Sequence, residues 1–175
     1  MPIDPTVQLG LSKEAQRIEE DALFSGKGHY NACGPWQSRH RWLGGASAVF
    51  SAIAAGVASQ HGAPPLVVVT LSVLAAALTS VITFLRPNEE ADRHRRSGDA
   101  HFAIKNRARI FRTVELEAPS ANEEKLVDAL KLLSADLDAA RSAAPTIPDD
   151  AYQKAKTAIE TEKTAEYRVD KPPTS

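Results

Sequence analysis

The 175-residue chain holds one cysteine, Cys33, and one methionine. A lone thiol excludes an internal disulfide and fits a reducing compartment. Aromatic residues make up only 6% of the chain and the formal net charge is −1, so there is no overall attraction for a polyanion and no aromatic set on which bases would stack. Nucleic acid is not an expected partner. No motif supports an enzyme either: Gly26-Lys27-Gly28 lacks the flanking glycine, the following Ser or Thr and the preceding strand of a phosphate loop. No repeat of solenoid length is present, and no cofactor is expected. Most telling is a third shortage, the absence of charge over two long stretches.

The first uncharged run, Trp42 to Ser59, reads WLGGASAVFSAIAAGVAS, and the second, Leu66 to Leu85, reads LVVVTLSVLAAALTSVITFL. At about 1.5 Å rise per residue each run would make a helix close to the roughly 30 Å thickness of a bilayer's hydrocarbon core. Between them QHGAPP ends one helix and starts the next, because Pro64 and Pro65 cannot continue the first but suit the opening turn of the second. The second run, rich in Leu, Val, Ile and Phe, favours insertion by itself. The first is mostly Ala, Gly and Ser, and its insertion is expected to depend on pairing with the second. Gly44, Ala48, Ala52 and Gly56 recur every fourth position, and so do Ser47, Ser51, Ala55 and Ser59 beside them; small residues at that spacing let helix backbones approach closely in lipid. A buried hairpin in a soluble helical bundle is the alternative.

Charge is distributed unevenly around these runs. From Arg86 to Arg112 there are eight basic and four acidic residues, and from Thr113 onward thirteen acidic and eight basic. The basic excess, with Arg86, Arg93, Arg95 and Arg96 nearest, adjoins the second run, while Arg39 and Arg41 precede the first and the tip between the runs has no Lys or Arg. The positive-inside rule then puts both termini in the cytoplasm, with Trp36 and Trp42 as interfacial aromatics on that side. The opening MPIDPTVQLGLSKEAQ has no basic segment leading into an apolar one. It does not read as a cleaved signal, so the hairpin is expected to be its own insertion signal.

The flanks read as amphipathic helices. Residues 1–11 are expected to be flexible. Leu11, Ala15, Ile18 and Ala22 have helical spacing behind a possible cap at Ser12, and Gly26, Gly28 and Gly34-Pro35 are expected to weaken or stop that helix. Beyond Arg86-Pro87, a helix over about 88–117, capped at Asn88, carries Ala100, Ala103, Ile104, Phe111 and Val114 roughly on one side and Arg95, Arg96, Lys105 and Arg109 elsewhere. Its basic side could face anionic head groups, or the helix could pack on the N-terminal one. After a break at Pro119–Asn122, Leu126, Leu130, Leu133 and Leu137 form a seam for a partner helix. A last helix over about Asp149–Tyr167 would bury Tyr152, Ala155 and Ile159, and the tail 169–175 is expected to be disordered.

Candidates for chemistry are sparse. His94 and His101 lie seven apart on one helical face near Asp92 and Asp99, a spacing that matches no established metal pattern and that charged surface residues explain better. His29 and Cys33 are four apart and read as structural. The hydroxyls of the two runs are more suggestive. Ser47, Ser51 and Ser59 share one side of the first helix. On the second, Ser72 and Ser80 share a stripe, with Thr79 and Thr83 on the neighbouring one. In a monomer they would bond their own helix carbonyls; in a closed ring of subunits they could line a weakly selective polar path.

The order of parts over roughly Leu23 to Val114 resembles the SLATT domain. The likeness rests on WQSRHRWLG from Trp36, the small-residue first span, TFLRPNEEADRHR from Thr83 to Arg95, and HFAIKNRARIF from His101 to Phe111. The resemblance implies an all-α fold: a two-helix transmembrane hairpin flanked by cytoplasmic amphipathic helices. On this reading residues 12–117 form a membrane domain, with spans at about 36–60 and 64–85, and residues 118–168 form a helical extension. It also implies a homo-oligomeric pore-forming effector of the bacterial inner membrane, triggered by a separate nucleotide second-messenger synthase or sensor in a conflict or anti-phage system. A membrane-anchored helical adaptor without a pore is the alternative from another class.

Overall fold

A computed structural model of the chain describes residues 3–118 and 122–162. Among those residues the protein is all-helical, at 87% helix, with no strand. The helices are α1 (Pro5–Ala58), α2 (Pro65–Leu85), α3 (Pro87–Ile110), a π-helical turn at Phe111–Glu115, α4 (Glu123–Ala143) and α5 (Asp149–Glu160). They divide into two compact units, one made of the described residues up to Ala32 with those from Arg93 onward, the other of Cys33–Asp92.

The first unit is a conventional water-soluble packing problem. Leu11, Ala15, Ile18 and Ala22 of α1 meet Ile104, Ala108 and Phe111 from α3 and the turn after it, and the Leu126, Leu130, Leu133 and Leu137 seam of α4 closes the core. The expected leucine seam therefore finds its partners within its own chain. Residues 118–168, read from the sequence as an extension, contribute α4 and α5 to the same unit as the N-terminal helix. Ion pairs tie the helices at the rim: Arg112 to Glu19 at 3.2 Å, Arg141 to Asp21 at 2.8 Å and Arg107 to Asp136 at 2.5 Å. The two exposed pairs, Arg141–Asp21 and Arg107–Asp136, contribute between nothing and about 1 kcal/mol each, so they set register more than stability, while Arg112–Glu19 is partly buried. The π turn passes Leu116 N–H to the Phe111 carbonyl at 2.9 Å, and the widened turn leaves both side chains buried.

Several boundaries differ from expectation. The N-terminal segment is not loose: α1 begins at Pro5, where the Asp4 carboxylate accepts from Thr6 N–H at 2.7 Å, a bond that holds that carboxyl below its usual range. Ile3 and Val7 pack against the core. Asn88 does not cap α3, which starts one residue earlier at Pro87, after Arg86 turns the chain with a left-handed φ of 44°. At α4 the cap is Asn122, whose side chain accepts from Lys125 N–H at 3.0 Å. In α5 the buried residues are Ala151 and Ala155, while Tyr152 is exposed. The expected end of that helix near Tyr167, and the tail at 169–175, lie outside the described residues.

The largest difference is in α1, which runs through Gly26, Gly28 and Pro35 without a break. A Cβ on Gly98 of α3 would sit 2.9 Å from the Tyr30 ring and 3.3 Å from the Gly26 carbonyl, and one on Gly28 would sit 3.1 Å from Ile147. Two of the supposed helix breakers thus lie where neighbouring chain comes close, and that contact outweighs the roughly 1 kcal/mol propensity penalty of each. Pro35 removes the one bond that would reach the Asn31 carbonyl. With helix already formed on both sides no new nucleus is needed, so the loss stays local.

Candidate functional site

The second unit is a helical hairpin. At its tip Gln60 N–H reaches the Val57 carbonyl at 3.0 Å, Gly62 takes a φ of +80°, and Pro64, extended, hands the chain to Pro65 at the first turn of α2. Both helices are long and apolar enough to cross a membrane, and only 6% of the most apolar window of each is buried. Within these windows the burial is confined to small side chains, Ala54 and Ala75. The large ones face out, with Trp42 at 78%, Leu66 at 77% and Phe84 at 87% exposure. A soluble core helix would have the opposite pattern, large residues in and small or polar ones out.

Of the two small-residue series, the helices meet at Ser47, a member of the second. Ser47 and Thr79 hydroxyls lie 2.8 Å apart, and both reach the Ala75 carbonyl, at 3.1 and 3.0 Å. Each hydroxyl has one proton, so one donates to the carbonyl and the other to its neighbour. Gly44, Ala48, Ala52 and Gly56 lie on the flank of α1 turned away from this contact. Ala48, Ala52 and Gly56 are exposed, and a Cβ added at Gly44 or Gly56 would meet nothing within 4 Å. That stripe is therefore not what joins α1 to α2.

The other hydroxyls divide in two. Ser59, Ser80 and Thr83 bond carbonyls of their own helices, at Gly56, Ala76 and Thr79 respectively, with distances of 2.8–2.9 Å. Ser51 and Ser72 are exposed. Of the interfacial residues, Arg39 sets its guanidinium 4.6 Å from the Trp36 ring centroid. Arg41 and Trp42 stand at one end of an apolar groove of about 660 Å³ that continues along Gly45, Ala46, Val49 and Phe50. Arg86 pairs with Glu89 at 3.4 Å, and Arg93, Arg95 and Arg96 are exposed.

The first unit holds a feature that the sequence reading divides, with His29 set beside Cys33 as structural and His94 and His101 taken for surface residues, whereas the structure buries all three. His29 of α1 and His94 and His101 of α3 are all buried, at 1%, 3% and 1% exposure. The ring of His29 lies between the other two, with centroids 5.3 Å from His94 and 5.4 Å from His101. The Nδ1 atoms of His29 and His94 are 3.0 Å apart, so one carries the proton and the other accepts it. His101 Nδ1 is 2.7 Å from the Ser97 carbonyl, which requires a proton on that nitrogen. In the neutral ring Nε2 is then a bare lone pair, and it is buried with no hydrogen-bond partner. Burial first, then the fields of His101 and His94, push His29 down to about 4. The cluster was legible in principle: His29 is seven residues past Ala22, and His101 and His94 are seven and fourteen before Ala108, all on the core faces of their helices.

Among the described residues no three His, Cys, Asp or Glu side chains are arranged to hold a metal ion. An open groove of about 460 Å³ runs between Arg93, Arg96, Ser97 and Ala100 of α3 and Ala140–Pro145 at the end of α4. Its basic rim is solvated, and the carbonyl end of α4 opposes an anion there. No known protein family, curated protein or solved structure matches this chain.

Proposed function

We propose that the chain is an effector of the bacterial inner membrane. In this reading the Cys33–Asp92 hairpin crosses the bilayer twice and both termini lie in the cytoplasm. The observation that carries it is the outward apolar surface of the hairpin, over which Trp42, Val49, Ile53, Leu66, Val73 and Phe84 are all more than 45% exposed. A soluble monomer rarely leaves so much apolar surface in water. Lipid is the cover whose thickness fits two helices of this length. The basic flanks, the uncharged tip and the Trp42-bordered groove support the same depth and orientation.

Assembly into a pore is the further part of the reading. It is supported by the open stripe of Gly44, Ala48, Ala52 and Gly56, which leaves a close-approach face available to a second hairpin. The likeness to SLATT modules supports a trigger delivered to the helical unit by a nucleotide second-messenger synthase or sensor. A trigger would act by binding the assembled or open state better than the resting one. The satisfied hydroxyls of Ser47, Ser59, Thr79, Ser80 and Thr83 favour the second reading, a hairpin that only anchors a helical adaptor.

The deciding experiment is induced expression in a bacterium with membrane potential followed by a voltage-sensitive dye. A pore former depolarises the cells, and Gly56→Leu abolishes this at equal membrane abundance. An adaptor leaves the potential intact and tolerates Ser51→Leu and Ser80→Leu without change in partner binding.

A further inference from the structure

We propose that the apolar groove on α1 between Trp42 and Phe50 binds an anionic phospholipid of the cytoplasmic leaflet, with one acyl chain lying in the groove and the phosphate on the Arg41 guanidinium. The proposal deepens the bilayer reading of the hairpin and rests on it, whether the hairpin conducts or only anchors.

The groove comes from the order of side chains on one helix. Trp42 and Val49 stand two turns apart on the same face of α1, at 78% and 56% exposure, and Gly45 and Ala46 lie between them. Bulky residues with small ones between leave a trough of about 660 Å³, with Phe50 at its far end. A small-molecule site usually holds roughly 300–1,000 Å³. A Cβ added at Gly45 would meet nothing within 4 Å, so the floor is open. At about 100° per residue, Trp42, Gly45 and Val49 lie about 140–160° around the helix from Ser47, the residue that meets α2. The second helix of the hairpin therefore leaves the trough uncovered.

Length and depth point to the kind of ligand. From Arg41 to Phe50 the helix rises about 13 Å, close to half of the roughly 30 Å hydrocarbon core, which is one leaflet. Arg41 and Trp42 make the polar end, since a cation and an indole belong at the membrane–water boundary, and past them the lining is apolar. A charged head above an apolar tail one leaflet long is the form of a phospholipid.

Charge selects which phospholipid. Among the described residues the Arg41 side chain makes no hydrogen bond, ion pair or ring contact, whereas Arg39 is set against Trp36 and Arg86 against Glu89. The sequence has no Asp or Glu between Asp21 and Glu89. A second hairpin laid alongside in the same orientation would bring its own Arg39 and Arg41 to this depth and add like charge. A lipid phosphate is the anion that the bilayer itself supplies there, and a guanidinium holds it through two parallel N–H···O bonds. A zwitterionic head carries its own cation beside that phosphate, so a net-anionic head is preferred.

The test uses the full chain as Trp36→Phe, which leaves Trp42 as the one indole of the two in the sequence. The protein is reconstituted in phosphatidylcholine vesicles that contain a fixed fraction of lipid brominated on its acyl chains, either phosphatidylglycerol or phosphatidylcholine. Bromine quenches an indole on contact, so a titration of each lipid gives its relative occupancy of the groove. The expected preference for phosphatidylglycerol is about fivefold, the equivalent of about 1 kcal/mol. Arg41→Gln should bring the ratio to near one and Arg41→Lys should keep most of it. Arg39→Gln, about 200° around the helix, should leave it unchanged. Gly45→Leu fills the trough and should abolish the preference. Equal quenching by the two lipids, or a preference that survives Arg41→Gln, overturns the proposal. Weak quenching by both lipids, from protein that floats with the vesicles, means that a second copy covers the groove and overturns it too. Protein that does not float with the vesicles sinks the bilayer reading itself, and the lipid site with it. The comparison of the two lipids on the Trp36→Phe chain needs no change in the groove, so it decides even if Gly45→Leu fails to insert.

Discussion

The two units of this protein are built from the same element but are turned to solvent in opposite ways. In the helical unit Leu11, Leu116, Phe111 and the α4 leucine seam are inside, the ion pairs are at the rim, and the buried polar side chains among the described residues are His29, His94, His101 and Lys105. In the hairpin the buried side chains are the alanines Ala54 and Ala75, a pair of hydroxyls bonds across the helix contact, and many of the large aliphatic side chains are outside. The difference teaches what each unit has to satisfy. Water rewards hiding apolar area, so the helical unit sorts side chains by polarity. In the bilayer setting proposed above, lipid gives no such reward, and sorting by size, with close contact and a shared hydrogen bond between the helices, is what would hold such a hairpin.

The largest expected effect comes from emptying the helical core. Phe111→Ala removes a side chain that is 1% exposed and should cost about 4 kcal/mol, enough to unfold that unit. Circular dichroism melting in detergent would register the loss, while carbonate extraction should still find the hairpin in the membrane fraction. Release of the protein from the membrane would mean that the hairpin cannot hold without the other unit.

A sharper contrast uses two side chains of nearly equal exposure, Val73 on α2 at 60% and Leu132 on α4 at 59%. Leu132→Arg should change stability by less than about 0.5 kcal/mol, because water already covers the site. Val73→Arg should penalise membrane insertion by about 3 kcal/mol, read as loss from the membrane fraction in a translocation reporter. If both are tolerated, the hairpin is not in lipid.

The smallest effect probes the glycines. Gly98→Ala drives a Cβ to within 2.9 Å of the Tyr30 ring and should lower the melting stability of the helical unit by about 1–2 kcal/mol. Gly44→Ala adds a methyl where nothing lies within 4 Å and should leave melting unchanged. A loss at Gly44 would indicate that a second copy covers that face in the assembled protein.

Much of this was legible in the residues. The hairpin, its Pro64-Pro65 start and the Leu126–Leu137 seam follow from runs and spacings that depend only on neighbours along the chain. The continuity of α1 did not, because Gly26 and Gly28 carry the same local propensity whether they end a helix or admit a neighbour, and the choice depends on Gly98 and Ile147, distant in sequence. Which face joins α1 to α2 stayed open for a similar reason. Two small-residue stripes fit the periodicity equally well, and the register that brings Ser47 to Thr79 selected one of them.

Composition and periodicity alone determined that the chain is helical and that two of its segments are too long, too apolar and too free of charge for ordinary surface helices, since these are sums over local residues. Only the tertiary structure decided that α4 and α5 join the N-terminal helix in one compact unit, and that three histidines, one of them 65 residues from its nearest cluster partner, share a buried site. Helical spacing reports which residues share a face. It is silent on which two faces meet, and the environment that sets a histidine's protonation exists only once they have.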